Sequence, residues 1–312
     1  MPVHIEGRRF KSHTTALAWK HRYLYVIFLP IAVYYIIFNY IPLLMGAVMS
    51  FQDFRIGNNL FTAKWIGFQN YITIFTNSEI LRAIRNTLVI SLLKLLFGFV
   101  PPIILAVCLF DIRSGIYKRV TQTIVYIPHF FSWVIVYGIF WAFFSTGSGV
   151  INLALEKLTG TRVNFFLSPG WFLFLIVFSS IWKSIGWGSI LYLAALTGVN
   201  TELFEAAKLD GCGPFKRAWY ITIPSILPII CFVLMISIGS ILGSDFEQML
   251  MFYNTQVYNV SDIIPTWIYR EGLSRFRYSL GAAVGILNGI VSVFLITLGN
   301  SLSRKLSGRG MW

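Results

Sequence analysis

A chain of 312 residues of which 56% are apolar and 12% charged, with mean hydropathy +0.71, lies outside the composition of a soluble globular domain. Its formal net charge of +13 would suit nucleic acid, but the basic residues sort between apolar segments, which assigns them to a bilayer and excludes that partner. Three cysteines without paired spacing and four scattered histidines exclude a disulfide framework and a metal site.

A hydrocarbon core takes about 20 apolar residues per helical crossing. Six stretches qualify, at 24–50, 86–110, 121–145, 170–198, 226–246 and 280–302. Segments such as FLPIAVYYIIF do not alternate in polarity, which excludes a β-barrel. The fold class is therefore all-α, a polytopic membrane protein with six transmembrane helices. Residues 1–23 form an amino-terminal segment, 24–303 one transmembrane domain and 304–312 a tail.

The first apolar stretch follows basic residues, as a signal peptide does. It is too long for an h-region and lacks a small-residue cleavage site, so it is expected to stay as an anchor. The loop 51–85 mixes aromatic and polar residues and predicts short elements at the interface, and INLALEKLTG at 151–160 predicts an amphipathic helix lying flat. A third stretch, 247–279, rich in Tyr and Asn, is expected on the same side. Fourteen Lys and Arg fall in the two tails and in the loops 111–120 and 200–222, against nine in the longer loops opposite. That asymmetry predicts that both termini are cytoplasmic. Pro30, Pro42, Pro101, Pro102 and Pro128 predict kinked or broken helices. Gly239 and Gly243, then Gly281, Gly285 and Gly289, recur every four residues and predict close helix packing.

Between the fourth and fifth stretches lies GVNTELFEAAKLDGCGPFKRAWYITIPSILP. Asn200 or Thr201 can cap a helix, Glu202 and Glu205 favour its positive end, and Gly211, Gly213 and Pro214 stop it. The result is a helix of about ten residues, some 15 Å long. Leu203, Ala206, Ala207 and Asp210 share one face by i, i+3, i+4, i+7 spacing. Such a small-residue face suits either a partner's cleft or packing back onto the bundle.

Glu205-Ala206-Ala207, three residues, Gly211, nine residues, then Ile221-Thr222-Ile223-Pro224 resembles the EAA loop of ABC-importer permeases, EAA-x3-G-x9-I-x-L-P, with Ile223 in place of the usual leucine. The likeness extends over nearly the whole chain. FLPIAVYYIIFNYIPLLMGAVMSFQDF, RNTLVISLLKLLFGFVPPIILAV and YSLGAAVGILNGIVSVFLI are similar to the maltose-type permeases for oligosaccharides, in particular the branch associated with alginate or pectin oligomers. The resemblance implies a type I ABC importer permease fold in a bacterial cytoplasmic (inner) membrane. It implies as partners a second homologous permease, two ABC ATPase subunits that bind ATP and Mg, and an extracellular or periplasmic solute-binding protein. Glu205, Ala206, Ala207 and Gly211, with Asp210 as neighbour, are implied to seat in the ATPase, and Pro224 marks the return into the membrane. The chain has no G-x-x-x-x-G-K-[ST] phosphate loop, so the energy comes from a partner and no cofactor is expected on this chain.

Ionisable residues inside apolar segments default to functional roles. Lys183, between Trp182 and Trp187 in IWKSIGWGSILY, leads the substrate-pathway candidates: aromatic faces suit sugar C–H surfaces and an ammonium attracts a carboxylated sugar. Its bland alternative is snorkelling, or pairing with an acid such as Asp245. Lys94, His129 and Asp245 complete the set, with snorkelling, a backbone hydrogen bond and plain solvation as their alternatives. No nucleophile triad or paired carboxylate is evident, so no catalytic residue is expected. The rivals are an importer of peptides or amino acids, a membrane-embedded enzyme acting on lipid or polyprenyl-linked substrates, and an ion-coupled transporter working alone. A binding-protein ligand panel tests the first, and ionisable residues clustered at one membrane face would mark the second. Transport without any ATPase would mark the third.

Overall fold

The computed structural model describes residues 22–112, 114–239 and 246–307. Among these, four helices are long and apolar enough to cross a membrane, and two bent pairs bring the number to six. Helix α1 (Arg22–Met49) contains a π-helical turn at Ile36–Tyr40, where the Ile41 N–H reaches back to the Ile36 carbonyl. Pro42 follows at once; it has no N–H to donate, and the ladder slips by one residue ahead of it. None of the α1 residues is buried within the chain.

The 51–85 segment forms short elements, as expected: an antiparallel pair of β1 (Gln52–Asp53) and β2 (Lys64–Trp65), then α2 (Gln69–Thr76). Helix α3 (Ser78–Asp111) starts eight residues before the apolar stretch, because Asn77 caps it by accepting from the Glu79 and Ile80 N–H groups at 2.8 and 3.3 Å. It is interrupted at Phe99, beside Pro101 and Pro102.

The stretch 121–145, expected as one span kinked or broken at Pro128, is broken into α4 (Gly115–Phe130) and α5 (Trp133–Phe144), which meet at 104°. Pro128 ends the first through a 3-10 turn, Phe131 is extended, and Ser132 caps the second by accepting from the Ile135 N–H at 3.4 Å. Helix α6 (Val150–Thr159) is the amphipathic element and is fixed by buried Asn152, which donates to the Phe144 and Ser145 carbonyls. Outside the membrane spans, Arg162 hydrogen-bonds the exposed Glu156 and holds its carboxyl below the usual value.

Helix α7 (Pro169–Thr197) is the central span. Its tightest crossing is at Gly186, where an added Cβ would lie 1.9 Å from the Val125 carbonyl oxygen of α4. The chain then forms α8 (Thr201–Leu209), α9 (Pro214–Ser225) and α10 (Leu227–Gly239), with a 67° bend between the last two. Gly239 meets Ile296 closely and Gly281 meets Gly272, in keeping with packing, whereas a Cβ on Gly289 would meet nothing within 4 Å; Gly243 lies outside the described residues.

The 247–279 segment, expected as a loop, folds largely into the core. It carries α11 (Phe246–Phe252) and α12 (Ile264–Trp267), and α12 continues into a π-helical turn at Ile268–Ser274. Buried Asp262 takes two bonds from Arg270, at 2.9 and 2.7 Å, and that pairing raises the guanidinium above its ordinary pKa. Helix α13 (Tyr278–Ser307) closes the bundle.

Aromatic contacts order the two ends. Phe110, at the end of α3, packs on Phe204 of α8 with ring centroids 5.3 Å apart. At the opposite end the Phe54 N–H donates to Ser279 Oγ at 2.8 Å, which places the 51–85 segment beside the start of α13.

Candidate functional site: a surface helix and an intramembrane cavity

Helix α8 is built as its sequence dictates. Asn200 Oδ1 accepts from the Glu202 N–H at 3.0 Å. At the other end Gly211 takes φ +72, and the Cys212 N–H closes on the Ala207 carbonyl at 2.8 Å. That left-handed step suits glycine and turns the chain out of the helix within one residue. Asp210, in the capping position, is exposed, as are Glu205, Ala206 and Pro224.

The face expected from periodicity is divided. Ala207 is buried with Phe204 against the bundle, while Leu203, Ala206 and Asp210 face outward. Leu209 and Phe215 add apolar surface at 89% and 90% exposure. Packing back onto the bundle is therefore present on one side, against α3, while the other side presents an exposed apolar strip.

Two contacts tie this loop to the end of α3. One is the tilted Phe204–Phe110 ring contact; the other is an ion pair between Arg217 Nη2 and Asp111 Oδ2 at 2.7 Å. Neither Phe110 nor Asp111 is marked by periodicity, because both are long-range partners. An aromatic and an acid at the end of an apolar stretch were the available signal.

Further along α3, a cavity of about 440 Å³ opens between α3, α7 and α10. Lys94, Ser91, Ser180, Ser184, Trp187 and Ser237 line it. Lys94 Nζ donates to Gln248 Oε1. Gln248 is fully buried and donates in turn to the Ile176 carbonyl and Ser179 Oγ at 2.8 and 2.9 Å. Gln248 falls in the 247–279 stretch expected outside the bundle, and its amide instead bridges α11 to α3 and α7.

The pathway candidates separate. Lys94 and Trp187 face the cavity, and His129 stacks on Trp187 at 4.5 Å with the rings 4° apart. Lys183 stands behind them: its Nζ donates to the carbonyls of His129 and Phe131 at 2.5 and 2.6 Å, the groups freed where α4 breaks from α5. Trp182 packs into the aromatic core against Phe131 and Phe140. Asp245 lies outside the described residues. No group of three His, Cys, Asp or Glu side chains among the described residues could hold a metal ion.

A family model described as "Binding-protein-dependent transport system inner membrane component" matches residues 98–309. The chain is 39% identical over 293 residues to Protein LplB of Bacillus subtilis (strain 168), covering 94% of this chain and 92% of that one. It is 36% identical over 293 residues to the polygalacturonan/rhamnogalacturonan transport system permease protein YteP of the same organism, covering 94% and 91%. Among solved structures it superimposes with TM-score 0.86 and 37% identity on a chain of a bacterial alginate ABC transporter in complex with alginate pentasaccharide-bound periplasmic protein, covering 94% of this chain and 98% of that one.

Proposed function

The chain belongs to the family of binding-protein-dependent transport system inner membrane components, which makes it a transport subunit of a sugar ABC importer rather than an enzyme, and we propose that its cargo is an oligosaccharide bearing carboxylates. The relatives named for polygalacturonan and alginate support the acidic class. So does the cavity, where a lysine, an indole and a row of serines offer an ammonium, a stacking face and hydroxyls to a sugar chain.

In this reading the subunit pairs with a second permease and two ATPases in a bacterial inner membrane, with both termini cytoplasmic, and receives cargo from an extracellular or periplasmic solute-binding protein. ATP and Mg²⁺ are held by the ATPases. The α8 loop, with Glu205, Ala206, Ala207, Asp210 and Gly211, seats in an ATPase groove. Closure of the ATPases shifts α8, and the Phe204–Phe110 and Arg217–Asp111 contacts carry that shift into α3. Lys94 and Ser91 on α3 then move relative to α7, and the cavity exchanges access between the two sides.

The observation that carries the reading is this continuity from an exposed apolar helix face, through two contacts, to the helix lining the cavity. The test is uptake by the complex reconstituted in proteoliposomes, supplied with its binding protein and a panel of neutral and uronate-containing oligosaccharides. ATP-dependent uptake of the uronates is expected; uptake of neutral sugars alone would remove the acidic class, and uptake without ATPase subunits would remove the importer mechanism.

A further inference from the structure

At the end of the bundle opposite α8, the chain passes from the π-helical turn Ile268–Ser274 into α13 through Arg275-Phe276-Arg277. Phe276 has φ +59 and is the one non-glycine residue with positive φ among the described residues. A side chain with a Cβ rarely enters this region, and glycine or asparagine normally serves such turns. The ring gains little in return. It is 56% exposed and meets Tyr278 edge-on with centroids 6.1 Å apart.

The flanking arginines are exposed yet held. Their side chains are 61% and 56% exposed, and both reach the carboxylate of buried Glu271, Arg275 at 2.7 Å and Arg277 at 3.5 Å. The backbone closes beneath them, with the Phe276 N–H on the Leu273 carbonyl and the Arg277 N–H on the Glu271 carbonyl, both at 3.3 Å. Arg270 is committed to Asp262 by two bonds. In this network three guanidinium groups meet two carboxylates, so its tip is cationic.

A turn that only had to reverse the chain would not keep an aromatic in a left-handed conformation in order to expose it. Strained residues that persist are over-determined by their surroundings and cluster where a ligand or partner is met. Arginine and aromatic residues dominate the energetics of protein interfaces. A buried carboxylate that fixes long arginines in advance lowers the ordering cost that association otherwise imposes.

We propose that Arg275-Phe276-Arg277 is a preformed knob on which the solute-binding protein docks, with Phe276 entering an apolar pocket on that protein and the two guanidinium groups meeting carboxylates around its rim. This rests on the importer reading above. The knob stands on the same end as the 51–85 segment, braced by the Phe54–Tyr278 contact and the Phe54–Ser279 hydrogen bond. Its excess positive charge sets the encounter rate with an acidic rim and the choice among binding proteins.

The test uses the full complex in proteoliposomes, with ATP hydrolysis followed as the binding protein is titrated. Phe276→Gly relaxes the turn, so a merely structural residue would give an unchanged or higher thermal midpoint and an unchanged titration. The knob predicts that same midpoint with the half-saturating binding-protein concentration raised at least tenfold. Arg275→Glu/Arg277→Glu is expected to raise it by a similar factor and to flatten its dependence on salt, with hydrolysis in the absence of binding protein unaltered. The proposal falls if both variants titrate like wild type. It also falls if charge reversal releases the second permease from the purified complex, or if the effect follows the anionic lipid content of the vesicles instead of the binding protein. Wild type that is stimulated by binding protein but imports no oligosaccharide defeats the cargo reading alone.

Discussion

Arg217 Nη2 lies 2.7 Å from Asp111 Oδ2, and this pair bridges 106 residues of sequence to join the loop after α8 to the end of α3. The pair is partly open to solvent, so its net stabilisation is about 1 kcal/mol or less. Its value is positional. Arg217→Asp is expected to assemble at normal yield while uptake falls about tenfold and ATP hydrolysis persists. The exchange Asp111→Arg/Arg217→Asp is expected to restore much of the uptake. Parallel measurement of hydrolysis and uptake in proteoliposomes checks this, and equal loss of both activities would contradict a transmitting role.

Gly211→Asp places a side chain at φ +72 and a negative charge beside Asp210. The backbone cost is about 1 kcal/mol, small against assembly and large against the geometry of a docking helix. Hydrolysis stimulated by binding protein and uptake are expected to fall together, while the variant still purifies with its partners. Gly211→Asn is expected to retain most activity, because asparagine visits the left-handed region more readily.

Gly186→Ala tests packing alone. The new methyl would sit 1.9 Å from a backbone carbonyl, which no rotamer change can relieve. Separation of α7 from α4 is expected, with a loss of about 1–3 kcal/mol seen as a lower thermal midpoint in detergent and a lower membrane yield.

Lys183→Met and Trp187→Ala separate support from cargo contact. The first leaves the part-buried His129 and Phe131 carbonyls without their ammonium donor, at about 1 kcal/mol for each acceptor, so a lower thermal midpoint and equal losses for neutral and acidic cargo are expected. The second enlarges the cavity and removes the indole, so a higher KM for uptake with little change in midpoint is expected. A cargo-selective effect of Lys183→Met would put its ammonium in the pathway instead.

Lowering the pH should loosen the contact between α6 and the loop that follows it. Arg162 depresses the Glu156 pKa below 4.5, so the pair contributes above the unfolded-state value and its contribution is lost as pH falls through the depressed one. Hydrogen exchange over 145–162 is expected to speed up in that acid window, and Glu156→Gln is expected to abolish the change.

Hydropathy located the first, fourth and sixth spans to within about two residues at most boundaries, since a lipid-facing helix has no alternative to being apolar along its length. The α8 loop was legible through its cap, its stop and its motif. The break at Phe131 was legible only as the kink or break that Pro128 predicts; its sharpness was not, because the chain there stays apolar and the carbonyls it frees are satisfied by a lysine more than 50 residues away. The segment after α10 misled for the opposite reason. Gln248, Asp262 and Glu271 mark a loop by polarity, yet each is buried with partners drawn from other elements or from arginines nearby. Local composition registers the polarity of a side chain and not whether a partner cancels it.

The interruption of α3 divides it into unequal arms, Val100–Asp111 toward α8 and Ser78–Gly98 toward the opposite end. At 1.5 Å per residue these measure about 18 Å and 31 Å. A rotation about the interruption at Phe99, near which the Pro102 ring is braced against Gly188 of α7, moves the far tip about 1.7 times as far as the tip that contacts the α8 loop. In the proposed coupling the helix is a lever with mechanical advantage below one: it trades force at Asp111 for travel at Ser78.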